Sequence, residues 1–193
     1  MAFHVDRPPE PHLWRLPAVA MVQRLKVKEV TPIEALNALE KRMKEVDPAI
    51  NAVTVKCFPR ARKAAQALME KGFPVDPGPG YLYGLPIVVK DLHAVEGVLF
   101  TEGSALFANR IAEENDPLVD VLEAAGGIVV GKTNTPEFGA GGNTFNDVFG
   151  STLNPWNVSL CAGGSSGGSA AALAAGEVSA NGTCAQMLAE ISS

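Results

Sequence analysis

Apolar side chains recur at helical spacing in the first third of the chain. Thr31, Pro32 and Glu34 form the pattern of a capped helix start, in which the cap and the glutamate can satisfy each other's backbone N–H groups. Apolar residues then follow at Ile33, Leu36, Leu39 and Met43. This pattern predicts a helix that ends at Asp47-Pro48.

Three further segments complete this region. Helical spacing also marks residues 16–25 and 59–71, and Gly72 is placed to end the second helix. A weak alternation over 50–55 predicts a short strand, and the proline- and glycine-rich stretch 74–80 predicts a loop.

The middle of the chain contains two short, continuous apolar runs instead. Leu85 to Val89 ends at Lys90-Asp91, and Ile128 to Val130 ends at Gly131-Lys132. Runs of this kind are typical of strands buried on both faces. A helix starting at Asp116-Pro117 separates them, so we expect an α/β fold with a mixed sheet flanked by helices and functional residues at strand ends.

A glycine-serine loop follows at Cys161 to Gly176 and continues into an alanine-rich stretch. Glycines on both sides of Ser165 and Ser166 let the backbone approach a ligand closely. Ser169 is predicted to cap a helix over Ala170 to Ala175. The loop would then lie at a helix N-terminus, where free N–H groups favour negative charge.

Several chemistries use such a loop. A phosphate-binding loop needs a lysine after its last glycine, and no lysine follows Gly168. A nucleophile elbow needs a histidine later in the chain, but the histidines are His4, His12 and His93. Serine chemistry with a lysine base remains. The alternative is a flexible linker, although the run is short and lies between ordered-looking segments.

Composition narrows the class of protein. The 193 residues suffice for one domain with a core, because 47% are hydrophobic and 19% charged. A net charge of −5 without a basic cluster argues against nucleic-acid binding. Three scattered cysteines and three histidines form no disulfide framework or metal pattern, so neither a metal nor a cofactor is expected. No targeting or membrane-spanning segment is recognised, and a cytoplasmic location is expected.

Three segments together resemble the amidase signature family. They are Gly84-Leu85-Pro86-Ile87-Val88-Val89-Lys90-Asp91, then Gly131-Lys132-Thr133-Asn134-Thr135-Pro136-Glu137-Phe138, and Asn154-Pro155-Trp156 leading to Gly163-Gly164-Ser165-Ser166-Gly167-Gly168. The resemblance covers residues 16–178 and implies the N-terminal portion of a mixed α/β fold. It also implies amide hydrolysis through a Ser–cis-Ser–Lys triad and an acyl-enzyme.

The family pattern assigns roles residue by residue. Lys90 resembles the catalytic base, and Ser165 resembles the bridging serine, which follows a cis peptide bond. Gly139, Ala140, Gly141 and Gly142 resemble the segment that lines the acyl pocket, although a glycine-rich turn explains them equally well. Asn134 is interpreted as a loop-fixing residue and Trp156 as a core residue. Asp91 is either a loop-orienting or a simple turn residue, and His93 is interpreted as a loop histidine.

The sequence departs from the family after Glu177. The family's nucleophile is the serine of an Asp-x-Gly-Gly-Ser segment about two dozen residues after the bridging serine, and no such segment occurs here. Neither Ser192 nor Ser193 has the glycine neighbours needed for an oxyanion hole. We therefore divide the chain into a loose segment 1–15, an incomplete amidase-signature domain 16–178 and a divergent tail 179–193. A form cut short before its nucleophile is expected to be inactive alone.

Other functions remain open. The tRNA-dependent amidotransferase has a catalytic subunit that shares these motifs and would need partner subunits. A non-catalytic fragment that serves as a binding module belongs to a different class. A small-molecule amide is the expected substrate, without nucleic acid or membrane, and homo-oligomers or partner subunits are possible.

Overall fold

The computed structural model describes residues 13–179. Most of the predicted N-terminal segment and tail (residues 1–12 and 180–193) therefore lie outside the described residues. Leu13–Arg15 forms a short 3-10 helix, and Leu13 is buried in the core. The core thus includes a residue that precedes the predicted domain boundary at residue 16.

The described residues form an α/β structure. The helices are α1 (Ala18–Lys26), α2 (Pro32–Ile50), α3 (Phe58–Lys71), α4 (Pro117–Ala124) and α5 (Gly167–Ala174), with further 3-10 turns at Ala105–Phe107 and Glu137–Gly139. The strands are β1 (Val53–Lys56), β2 (Pro86–Lys90), β3 (Ile128–Thr133), β4 (Phe145–Asn146), β5 (Gly150–Ser151), β6 (Leu153–Asn154) and β7 (Asn157–Cys161).

The central sheet has the order β1-β3-β2 and is mixed, as predicted. β3 runs parallel to β2 and antiparallel to β1. All residues of β2 and β3 are buried, which explains their continuous apolar sequence. One apolar cluster contains Val89 and Val129, and a second contains Val88 and Val130 together with side chains of α5. The two clusters cover opposite faces of the sheet.

Helix α2 starts as predicted and ends later. Thr31 and Glu34 form both hydrogen bonds of the capping box. The helix continues through Pro48 to Ile50, so the predicted end at Asp47-Pro48 is wrong, and β1 begins only at Val53. Asp47 stabilises this end, because its carboxylate accepts hydrogen bonds from the backbone N–H groups of Ala52 and Val53.

Helix α5 begins earlier than the predicted cap allows. Gly167 is its first residue, so Ser169 lies inside the helix and does not cap it. Ser169 is buried, and its hydroxyl is 2.7 Å from the hydroxyl of Thr133 at the end of β3. A Cβ atom at Gly168 would lie 2.4 Å from the backbone nitrogen of Asn134. The glycines therefore allow α5 to pack directly against the carboxyl end of β3.

We expect Gly168→Ala to destabilise the chain by about 1–3 kcal/mol, because the added methyl group meets backbone atoms that cannot move aside. Gly142→Ala is the matched control, since a Cβ atom there has no neighbour within 4 Å. That variant should stay within about 0.5 kcal/mol of the parent. Urea unfolding measures both, and equal effects of the two substitutions would contradict this packing.

A buried carboxyl group follows α5. Glu177 is fully buried, and neither of its carboxyl oxygens has a hydrogen-bond partner among the described residues. Burial, and next the nearby Asp47 carboxylate, raise the pKa of Glu177 to about 9. The folded chain therefore holds a proton that an unfolded chain, with a pKa near 4.5, releases.

The stability of the chain should consequently fall as pH rises between about 4.5 and 9, by at most about 1.4 kcal/mol per pH unit from this group. Glu177→Gln should remove that slope and be more stable than the parent at pH 8. Glu70→Gln, on an exposed part of α3, should keep the slope. Denaturation across pH 5–9 tests this, and equal slopes for the parent and Glu177→Gln would show it to be wrong.

Candidate active site

Lys90 lies at the carboxyl end of β2 and is buried, with 5% of its surface exposed. The hydrophobic residues before it place its backbone inside the sheet, and its side chain points to the start of α5. There Nζ donates a hydrogen bond to Oγ of Ser165 at 2.7 Å and to Oγ of Ser166 at 3.1 Å. The structure thus brings together Lys90 and Ser165, which are 75 residues apart in the sequence.

Burial lowers the pKa of Lys90 below its usual value of 10.5. Both described hydrogen-bond partners of its amine are hydroxyl groups, which carry no charge to hold the proton on the amine. A lysine in such a site can lose its proton more easily than an exposed lysine. Once neutral, it can accept a proton from a hydroxyl group.

The loop that carries Ser165 is fixed by hydrogen bonds on both sides. The Gly164–Ser165 peptide bond is cis, as the resemblance implied. Before it, the N–H of Gly164 donates to the carbonyl oxygen of Gly142 at 2.8 Å. After it, the N–H of Gly167 donates to Oγ1 of Thr144, which itself donates to the carbonyl oxygen of Gly163. The loop therefore presents Ser165 in one defined position at the N-terminus of α5.

The segment Gly139, Ala140, Gly141 and Gly142 lies beside this loop. Gly139 has a positive φ of 71° and packs against Leu92, because a Cβ atom there would lie 2.7 Å from the Leu92 side chain. Gly142 contacts Gly164 through the hydrogen bond described above. The segment thus borders the space in front of Ser165, and its role in binding an acyl group remains a prediction.

A buried ion pair lies behind the site. Lys132, on β3, is fully buried, and its Nζ is 2.7 Å from Oδ1 of Asp91. The Asp91 carboxylate also accepts hydrogen bonds from the backbone N–H and the hydroxyl of Thr101, the latter at 2.5 Å. Asp91 therefore fixes the loop that follows β2. Sequence reasoning did not identify Lys132 or Thr144, and only the polarity of Lys132 in an otherwise apolar strand signalled a special position.

Burial lowers the pKa of Lys132, and the Asp91 carboxylate counteracts that shift. The two buried lysines thus differ in their partners. Lys132 faces a carboxylate, whereas the described partners of the Lys90 amine are the two serine hydroxyls. Of the two, Lys90 is the one whose surroundings favour a neutral amine.

Other predicted residues take different places. Asn134 fixes a loop as predicted, since its amide donates to the carbonyl oxygen of Gly150 and to the hydroxyl of Thr152. Trp156 is 81% exposed, so its interpretation as a core residue is wrong. It lies in the turn between β6 and β7, where its backbone N–H donates to Oδ1 of Asn154. His93 lies in a loop near Asp116.

The described residues contain no group of three or more His, Cys, Asp or Glu side chains that could hold a metal ion. None of the described helices is both long and apolar enough to cross a lipid bilayer.

Comparison with known proteins identifies the family. The family model described as Amidase matches residues 34–183. An acylamidase of Rhodococcus erythropolis is 41% identical over 170 residues, which are 86% of this chain and 35% of the acylamidase. The amidotransferase that acts on glutamyl-tRNA(Gln) in Carboxydothermus hydrogenoformans has a subunit that is 37% identical over 166 residues, covering 86% of this chain and 34% of that protein.

Solved structures agree with this assignment. A bacterial aryl acylamidase described as belonging to the amidase signature enzymes superposes with a TM-score of 0.74 at 34% identity. The match covers 84% of this chain and 34% of the aryl acylamidase. The chain thus spans about a third of the length of these relatives. With a family model matching most of its residues, the chain belongs to the amidase family, whose members are the amidase signature enzymes.

Proposed function

We propose that this chain supplies the general base and the bridging serine of an enzyme that hydrolyses carbon–nitrogen amide bonds of small molecules. The observation that carries the proposal is the 2.7 Å hydrogen bond between the buried amine of Lys90 and the hydroxyl of Ser165. The acylamidase among the relatives supports an amide as the substrate class. No cofactor is needed for this chemistry.

In the proposed reaction a nucleophilic serine attacks the amide carbonyl carbon. Its proton passes to Ser165 while the proton of Ser165 passes to neutral Lys90. The resulting ammonium then returns a proton through Ser165 to the leaving amine, and the C–N bond breaks to give an acyl-enzyme. Water hydrolyses this ester by the same proton route in reverse. Lys90 must therefore be neutral at the start of each cycle, which its burial favours.

The nucleophile is the part of the triad that this sequence does not supply. The Asp-x-Gly-Gly-Ser segment of the family is missing between Ser165 and Ser193. The backbone N–H groups of that segment would also form the oxyanion hole, which is usually a large contribution to catalysis. We therefore propose that activity belongs to a polypeptide that contains this segment and that the 193 residues alone are inactive.

A polypeptide in which residues 1–178 continue into the corresponding remainder of the Rhodococcus erythropolis acylamidase tests the base. If it hydrolyses an aryl amide, Lys90→Ala should lower kcat by about 10²–10⁴, because proton transfer to the base is lost. Lys44→Ala is the control, since that lysine is on the exposed surface of α2. Equal activity of the Lys90→Ala variant and its parent would rule out Lys90 as the base.

The 193-residue chain, purified and folded by circular dichroism, should release no amine from the same aryl amide above the buffer rate. Loss of the nucleophile and oxyanion donors together leaves little of the catalytic site. Amine release that disappears in Lys90→Ala would show that the chain contains a complete site and that our interpretation of its C-terminal part is wrong.

A second function is favoured by the amidotransferase subunits among the relatives. The same lysine and serine would then serve to release ammonia from glutamine within a complex of several subunits. Stable co-purification of the longer polypeptide with partner subunits, together with glutaminase activity, would favour this function. Hydrolysis of aryl amides by the longer polypeptide in isolation would favour the first.

A further inference from the structure

Two buried lysines stand next to each other on neighbouring strands of the central sheet. In the parallel ladder Val89 pairs with Lys132, and Lys90 pairs with Thr133. Neighbouring strands are about 5 Å apart, so the backbones of Lys90 and Lys132 are close. Both lysines are almost fully buried, which is costly for two like charges unless their side chains are kept apart.

A bulge separates the two side chains. The pairing moves from Ile87 with Val129 to Val88 with Gly131, so β3 contains one extra residue at this point. As a result Thr133 faces α5 and contacts Ser169, and Lys132 faces the opposite side of the sheet. A Cβ atom at Gly131 would lie 2.6 Å from the carbonyl oxygen of Val55, so the bulge depends on a glycine there.

The carboxylate nearest to Lys90 in the sequence points away from it. Asp91 follows Lys90 directly, yet its carboxylate binds Lys132 and Thr101 on the side of the sheet opposite α5. Other titratable groups near Lys132 are the Cys57 thiol and the Arg110 guanidinium, which pairs with Glu102. On the α5 side, the amine of Lys90 bonds to the neutral hydroxyls of Ser165 and Ser166.

We propose that Lys132 is a positioning residue for Lys90: it binds the Asp91 carboxylate on the far face of the sheet, neutralises its charge and thereby leaves Lys90 to the two serines. Without Lys132, a buried negative charge one residue from Lys90 would favour the ammonium form of the base. Without Asp91, the unpaired ammonium of Lys132 would disfavour it. Opposite effects of the two substitutions distinguish this role from a merely structural one.

This inference rests on the proposed function of Lys90 as a base, but its test measures the amine itself and not hydrolysis. The folded 193-residue chain is labelled with acetic anhydride across pH 6–11, and labelling at Lys90 is quantified by peptide mass spectrometry. Labelling at exposed Lys44 in the same sample is the internal reference. Hydrolysis assays and labelling can therefore fail independently.

Lys132→Met should move the labelling midpoint of Lys90 up by about one pH unit, which corresponds to about tenfold slower labelling below the midpoint. Asp91→Asn should move the midpoint down. The double variant Asp91→Asn with Lys132→Met should return it to the parent value, and Lys132→Arg, which keeps the charge, should leave it unchanged.

The inference is overturned if the two single variants shift the midpoint in the same direction, or if neither shifts it while both are folded by circular dichroism. Should Lys132→Met fail to fold, Asp91→Asn and Lys132→Arg decide. A lower midpoint in the first with an unchanged midpoint in the second supports the role of Lys132, and any other result contradicts it.

Discussion

A lysine at the end of a fully buried strand is the constraint on which this site depends. Moving an ammonium group out of water costs several kcal/mol unless a carboxylate or comparable group compensates. Lys90 is held in the interior by the apolar run of β2, and two serine hydroxyls take up its hydrogen bonds without supplying a negative charge. The strand thus imposes on the lysine the neutral form that a general base needs.

The rest of the described structure places the partners of this amine. Helix α5 can approach the sheet because Gly167 and Gly168 lack side chains where Thr144 and Asn134 come close. That approach brings Ser165 to Lys90. On the other face of the sheet, Asp91 and Lys132 neutralise each other and hold the loop after β2 through Thr101. Packing on one face and charge pairing on the other therefore act on the same strand end.

Local patterns and the family resemblance predicted much of this arrangement, and the errors arose where tertiary contacts override local signals. The two apolar runs specified the buried strands β2 and β3, whereas the contact of Lys90 with Ser165 spans 75 residues and followed only from the resemblance. Ser169 has the chemistry of a helix cap, yet packing of the glycines lets α5 start earlier and buries Ser169. The pair of Asp91 and Lys132 depends on a bulge in β3, and a one-residue shift of register leaves no trace in the hydrophobic pattern.

The central claim is that Lys90 is a buried amine whose proton is easily lost. The most direct measurement is a pH titration of the side-chain nitrogens of ¹⁵N-lysine-labelled protein by NMR, with Lys90→Arg used to assign the resonance. Our account predicts that Lys90 becomes neutral at a lower pH than the exposed lysines and that Ser165→Ala changes its chemical shift. If Lys90 titrates together with the exposed lysines and is insensitive to Ser165, it is not a base prepared by burial, and the proposed mechanism is wrong.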